Sequence, residues 1–251
     1  LSGFSPDVVI LSGLHMLEGE SKEFRSDRVD DFVKMLKTIP KETPIHLELA
    51  SMALEPFIEE ISQKVFPHVD SIGLNEQELE LVSKSAGGPH ESLSSSKSVA
   101  DTAMVGECLY WMLTTFGAKE GQDSGSRLTR IHFHSLTFHI IAHVSGTWTN
   151  SRKAVVAGSW ACTTRACGKD SLSISEVNLR LPMNFRVSTL TPDLYLSLNK
   201  NDSDGVSASV GWVRGNIDFR LAPVYVCRSP GSTVGLGDTI SATGLFYSMF
   251  V

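Results

Sequence analysis

The chain has 251 residues, 41% hydrophobic and 20% charged, with a formal net charge of −6. That is the make-up of a globular protein with a sizeable core. No Lys/Arg run exceeds two residues, which disfavours nucleic acid as a partner because phosphate neutralisation needs a concentrated basic face; no apolar run approaches the roughly 18 residues of a membrane span.

Four cysteines, Cys108, Cys162, Cys167 and Cys227, are too few for a disulfide scaffold. Cys162 and Cys167 lack a second pair for zinc, and buried thiols are the plain expectation. The chain starts at Leu1, not Met, and shows no signal peptide. It is therefore read as a fragment whose missing N-terminal part is expected to complete the site.

In chain order, "DVVILSG" (7–13) has a buried-strand pattern. "SDRVDDFVKMLKTIP" (26–40) places Val29, Phe32, Val33 and Leu36 at helical spacing and stops at Pro40. "PIHLELAS" (44–51) reads as a strand. "ALEPFIEEISQKVFP" (53–67) reads as a helix with Pro56 in its first turn. "VDSIGL" (69–74) and "NEQELELVSKSA" (75–86) are the next strand and helix. This β-α-β-α-β-α run argues for a parallel sheet flanked by helices. A Gly/Ser/Pro loop follows (87–98), then an apolar helix (99–117), a turn-rich excursion (118–127), two strands around Ser135-Leu136 (129–144) and a helix (151–162). Short strands and turns occupy 170–227 and end in "APVYVC". An apolar helical run then continues to the end of the chain.

Four constellations carry candidate chemistry. The first is Gly235-Leu236-Gly237-Asp238. A strand, a glycine turn and a helix start gather backbone N–H groups and the positive end of a helix dipole, which suits a phosphate. Asp238 at its mouth is placed to take a proton from a hydroxyl, although Asp is equally a common helix cap. Ile240 replaces the last glycine of a dinucleotide fingerprint, and no P-loop is present. The second is Asn75-Glu76-Gln77-Glu78, either a capping box or a Mg²⁺ contact through Glu78. The third is His46-Leu47-Glu48, whose alternation puts both ionisable groups on one strand face: either a buried pair or a second carboxylate for a metal. The fourth holds His132, His134, His139 and His143. Here satisfied strand histidines stand against metal binding by His132 and His134, or contact of one His with a phosphate or base.

"SGLHMLEG", "HLELAS", "GLNEQEL", "LTRIHFHSL", "PVYVC" and "TVGLGDTISATGLF" occur in this order from about Pro6 to Phe250. Together they resemble the ADP-dependent glucokinases, most closely the animal type, within the ribokinase-like superfamily. The resemblance implies a three-layer α/β/α core with a mostly parallel central sheet, of which this chain is the C-terminal half to two-thirds. Residues 1–251 would be part of one nucleotide-binding and catalytic domain, with the sugar-gripping lid and first strands mostly absent. It implies transfer of the β-phosphoryl of ADP to the 6-hydroxyl of D-glucose, with Mg²⁺, giving glucose 6-phosphate and AMP. Asp238 matches the catalytic base, and the amides of Gly235, Leu236 and Gly237 match the anion hole. Asn75 and Glu78 match the family's N-x-x-E magnesium motif, and Glu48 its metal-linked H-x-E motif. His134 matches a nucleotide-contacting histidine, and Val226 the point where backbone meets adenine. Cys167 and Cys227 fall where the animal enzymes carry cysteines near the nucleotide pocket, so a disulfide between them is expected. By the same resemblance the endoplasmic reticulum lumen or secretory pathway is the expected location; a monomer is expected, and the fragment alone is expected to be inactive or very weak. An ATP-dependent ribokinase-like sugar kinase and a truncated, non-catalytic nucleotide-binding paralogue are the competing readings.

Overall fold

Short apolar stretches closed off by glycine, proline or an acid become the parallel strands of the first unit. In the computed structural model, residues 6–93, 100–119, 125–191, 193–198 and 209–251 are described. The chain divides into two compact units: Leu1–Ser92 with Cys108–Ile131, and Leu93–Glu107 with His132–Val251. Parts of the loop at 87–98 and of the excursion at 118–127 lie outside the described residues.

In the first unit β1 (Val9–Leu11) pairs in parallel with β2 (Ile45–Glu48), and β2 in parallel with β3 (Ser71–Leu74). β3 is buried along its whole length, the polar Ser71 included, as befits a parallel strand covered on both faces. Helices connect these strands, as the sequence predicts. α1 (Lys22–Leu36) begins earlier than the periodicity suggests, because Ser21 caps it by accepting from the Phe24 amide at 3.2 Å. α2 (Glu55–Lys64) carries Pro56 in its first turn. α3 (Glu76–Ala86) is capped by Asn75 and ends at Gly87, left-handed at φ 74°. Asp70, at the foot of β3, accepts from the Ile45 amide and from Arg127 Nη2, both at 2.8 Å. Burial raises its pKa even though Arg127 opposes the shift.

α4 (Thr102–Phe116) and β4 (Arg130–His134) each contribute residues to both units. In the second unit β5 (Phe138–Val144) follows β4 across the Ser135-Leu136 turn, as predicted. β6 (Trp148–Thr149) leads into α5 (Ser151–Cys167). α5 runs beyond Cys162 and is closed by the left-handed Gly168, while Thr163 and Thr164 return their hydroxyls to helix carbonyls. The predicted run of short strands resolves into β7 (Val177–Leu179), β8 (Asn184–Arg186), β9 (Tyr195–Ser197), β10 (Val210–Arg214), β11 (Ile217–Pro223) and β12 (Tyr225–Cys227). β10 and β5 both pair with β11 antiparallel.

α6 (Leu236–Tyr247) buries Leu236, Ile240, Ser241, Gly244 and Leu245. Two expectations need correction. The last helix does not continue to the end of the chain: β13 (Met249–Phe250) pairs antiparallel with β6, and the Phe250 ring lies 5.0 Å from Trp148. β2 stops at Glu48 rather than Ser51, because Ala50 and Ser51 take left-handed conformations at φ 50° and 65°.

Candidate functional site

In the first unit, strand alternation brings His46 and Glu48 to one face of β2, as predicted. His46 Nε2 lies 3.2 Å from Glu48 Oε2, and His46 Nδ1 lies 2.9 Å from Ser71 Oγ. The fully buried Arg130 donates to the same Ser71 hydroxyl at 2.7 Å. Burial drives its pKa down to about 9 while the Glu48 charge opposes the drop. A guanidinium in an apolar core is costly without hydrogen bonds and a counter-charge, and Ser71 and Glu48 supply both.

Glu78 adopts the capping-box geometry in full. Its Oε2 accepts from the Asn75 amide at 2.8 Å, while Asn75 Oδ1 accepts from the Glu78 amide at 3.1 Å. Its other oxygen accepts from Asn75 Nδ2 at 2.9 Å and from the Ser51 amide at 2.5 Å. Glu78 is 1% exposed, so three protein donors already surround its carboxylate. The left-handed Ala50-Ser51 pair is what turns the Ser51 amide toward it, and such non-glycine conformations persist only where their surroundings hold them. Among the described residues no three His, Cys, Asp or Glu side chains gather as a metal cage. Of the two carboxylates, Glu48 keeps an exposed edge, with 14% of its side chain accessible. Glu78 is thus held by three protein donors, whereas Glu48 is half-buried beside His46.

In the second unit, Gly235 is the N-cap of α6 in the left-handed region (φ 67°, ψ 25°), and no side chain caps the helix. Asp238 is the third residue of α6 and does not act as a cap. It is exposed, and among the described residues it makes no hydrogen bond or ion pair. The first-turn amides of α6 and its dipole thus face a solvent-accessible carboxylate. A side chain at Gly235 would touch Asp238 Oδ2 at 3.5 Å and Arg165 Nη2 at 3.4 Å; glycine leaves that space open. His134, on β4, meets the same turn. Its Cε1 and Nδ1 lie 3.0 and 3.1 Å from where a Gly237 Cβ would stand, so glycine is what lets the backbone pass this buried imidazole.

His132 does not join His134 in a metal pair. Its Nε2 sits 3.0 Å from His139 Nδ1 in the core, and its ring crosses that of His134 edge-on at 6.2 Å. Val226 is half-buried in β12, opposite Asn178 of β7. One residue on, Cys227 forms a disulfide with Cys167, their Cα atoms 5.5 Å apart. That bond is the one the resemblance implied; Cys108 and Cys162 are free and buried, and burial raises the Cys162 thiol to about 11. Cys162, Ala166, Val224, Cys227, Leu236 and Ile240 form one apolar cluster under the turn. The Gly231 amide donates to the Ala166 carbonyl at 2.7 Å, tying the approach to the turn onto the end of α5. Sequence reading missed Ser51 and Arg130. Nothing in "HLELAS" marks Ser51, but an arginine inside the apolar strand "TRIHFH" was a signal in itself, since such a charge needs a buried partner.

Comparison with known proteins adds to this geometry. The family model described as the ADP-specific phosphofructokinase/glucokinase conserved region matches residues 1–247. An ADP-dependent glucokinase of Bos taurus is 46% identical over 99% of this chain and 49% of its own length. A probable ADP-dependent glucokinase of Caenorhabditis elegans is 37% identical over 100% of this chain and 50% of its own. A phosphofructokinase from Pyrococcus horikoshii solved with AMP shares the fold at a TM-score of 0.67 and 17% identity, over 96% of this chain and 50% of that one. The chain spans about half the length of the curated relatives it matches. The α/β fold of this chain is thus the one that this solved phosphofructokinase has.

Proposed function

The chain belongs to the ADP-specific phosphofructokinase/glucokinase family, and from that premise we propose that the whole protein is an ADP-dependent glucokinase. It transfers the β-phosphoryl of ADP to the 6-hydroxyl of D-glucose and releases AMP. The observation that carries this reading is Asp238: an exposed carboxylate in the first turn of a helix with no side-chain cap. The two glucokinase relatives support glucose as the acceptor.

The mechanism is positioning and charge stabilisation. Asp238 accepts the 6-hydroxyl proton as that oxygen attacks the β-phosphorus. The bond from the β-phosphorus to the bridging oxygen breaks, and the electron pair leaves with AMP. The amides of Gly235, Leu236 and Gly237, with the α6 dipole behind them, hold the charge on the transferred group. His134 braces the turn at Gly237, and Val226 lies on the strand proposed to meet adenine. Magnesium would neutralise part of the diphosphate charge and keep much of its water shell, with Glu48 as its carboxylate; Asn75 and Glu78 would keep the adjoining loop in shape. Both units are read as parts of one nucleotide-binding and catalytic domain. The Cys167–Cys227 disulfide supports an oxidising compartment, for which we propose the endoplasmic reticulum lumen or secretory pathway. No helix among the described residues is long and apolar enough to cross a membrane.

The test is glucose 6-phosphate formation by the full-length protein with ADP, ATP or no nucleotide, beside Asp238→Asn. Activity with ADP that collapses in the variant is the expected result. Activity with ATP alone would move the protein to the wider ribokinase-like kinases. ADP binding without turnover would make it a non-catalytic nucleotide binder.

A further inference from the structure

Arg165 stands near the C-terminal end of α5, two positions before the disulfide cysteine Cys167. Its guanidinium reaches over the turn that opens α6: Nη2 and Cζ lie 3.4 and 3.9 Å from the Cβ position of Gly235. Arg165 is exposed, and among the described residues its guanidinium makes no hydrogen bond or ion pair. Neighbouring cations on this face are differently engaged. Lys169 is paired with Glu176, and Arg228 Nε donates to the Val177 carbonyl at 3.4 Å. The base of Arg165 is held firmly by the apolar cluster of Cys162, Ala166, Leu236 and Ile240, by the bond from Gly231 to Ala166, and by the disulfide. A long cationic side chain is thus presented from a fixed root to an uncapped helix start, with its donors unengaged.

The carboxylate of Asp238 also borders Gly235, with Oδ2 3.5 Å from the same Cβ position. An anion entering this turn meets a negative group, and backbone amides carry only partial charges with which to offset it. A full positive charge beside the turn offsets the repulsion, and a guanidinium does so with paired N–H donors that match two phosphate oxygens. We propose that Arg165 binds the phosphate of the nucleotide at the Gly235 turn, acting as the cationic counterpart of Asp238. This assignment rests on the phosphotransfer reading above and names the residue that secures the phosphate end of the nucleotide.

The test compares binding of ADP and of adenosine to the full-length protein by calorimetry, for the wild type, Arg165→Ala and Arg165→Lys. Arg165→Ala should weaken ADP about tenfold to a hundredfold, the worth of hydrogen bonds to a charged group, and leave adenosine unchanged. Arg165→Lys should lose less than Arg165→Ala, because it keeps the charge but not the paired donors. Unchanged ADP affinity in Arg165→Ala would overturn the proposal. So would an equal loss for ADP and adenosine, since that marks a distorted pocket rather than a lost phosphate contact. Wild-type protein that binds ADP but does not phosphorylate glucose would defeat the glucokinase reading alone, and the ADP-to-adenosine comparison would still decide the role of Arg165. Wild-type protein that binds no ADP would overturn both.

Discussion

Glu78 and Asp238 occupy the same position, the third residue of a helix, and the fold treats them in opposite ways. Asn75 caps α3, and its side chain and amide draw the Glu78 carboxylate back over the helix end. Gly235 caps α6 with no side chain and a left-handed backbone, and aspartate is one methylene shorter than glutamate. Among the described residues nothing draws Asp238 inward, so its carboxylate faces solvent beside the first-turn amides of α6. An acid in a first turn is therefore not a functional signal in itself. The residue at the cap decides whether that acid completes the helix or is left over for chemistry.

The strongest way to break this contrast is at Asp238. In the full-length protein Asp238→Asn should lower kcat by about 10²–10⁴-fold and leave the melting temperature nearly unchanged, because the side chain has no partner among the described residues to lose. A large drop in melting temperature alongside lost activity would make Asp238 a structural residue instead. The support beneath the turn comes next. Cys227→Ser should destabilise the protein by about 2–4 kcal/mol, seen in denaturant titration, and reductant should bring the wild type down to the variant and leave the variant unmoved.

Glu78→Gln keeps the shape of the side chain but sets an amide against three donors. It should cost about 2–3 kcal/mol of stability and reduce kcat far less than Asp238→Asn. Equal losses of activity in the two variants, with the stability of Glu78→Gln intact, would show that Glu78 does chemistry and is not chiefly a cap. The smallest expected effect is at Gly237. Alanine there presses on the buried His134 ring, with a cost of about 1–2 kcal/mol and weaker ADP binding, measured by thermal shift with and without ADP. A Gly237→Ala protein with wild-type stability and ADP response would mean that the His134 contact does not shape the turn.

Much of the first unit was legible residue by residue. The buried strands, the stop signal at Gly87 and the Asn75-to-Glu78 spacing all work through neighbours along the chain, so local chemistry announces them, whereas α1 ends at Leu36, ahead of the Pro40 stop that its pattern suggested. The pairing of His46 with Glu48 follows from strand alternation alone. The ends of elements were less legible where a distant residue intervenes. β2 breaks at Glu48 because the Ser51 amide serves Glu78, and α6 stops short because Met249 and Phe250 pair with β6. Each of these depends on a partner far along the chain.

The candidate site divides along the same line. Gly235, Gly237 and Asp238 were readable as a turn, a close approach and an acid at a helix start, because backbone freedom and dipole direction are local properties. Whether Asp238 caps the helix or stands open was not readable, since it depends on the conformation that Gly235 takes in the folded chain. The placing of His134 against Gly237, of Arg165 over Gly235, and of Ser71 and Glu48 around the buried Arg130 came only with the tertiary structure. Proximity across tens of residues is a product of packing and cannot be deduced from local pattern. Residue chemistry in the chain names the groups able to act, and the fold alone decides which of them stand within reach of one another.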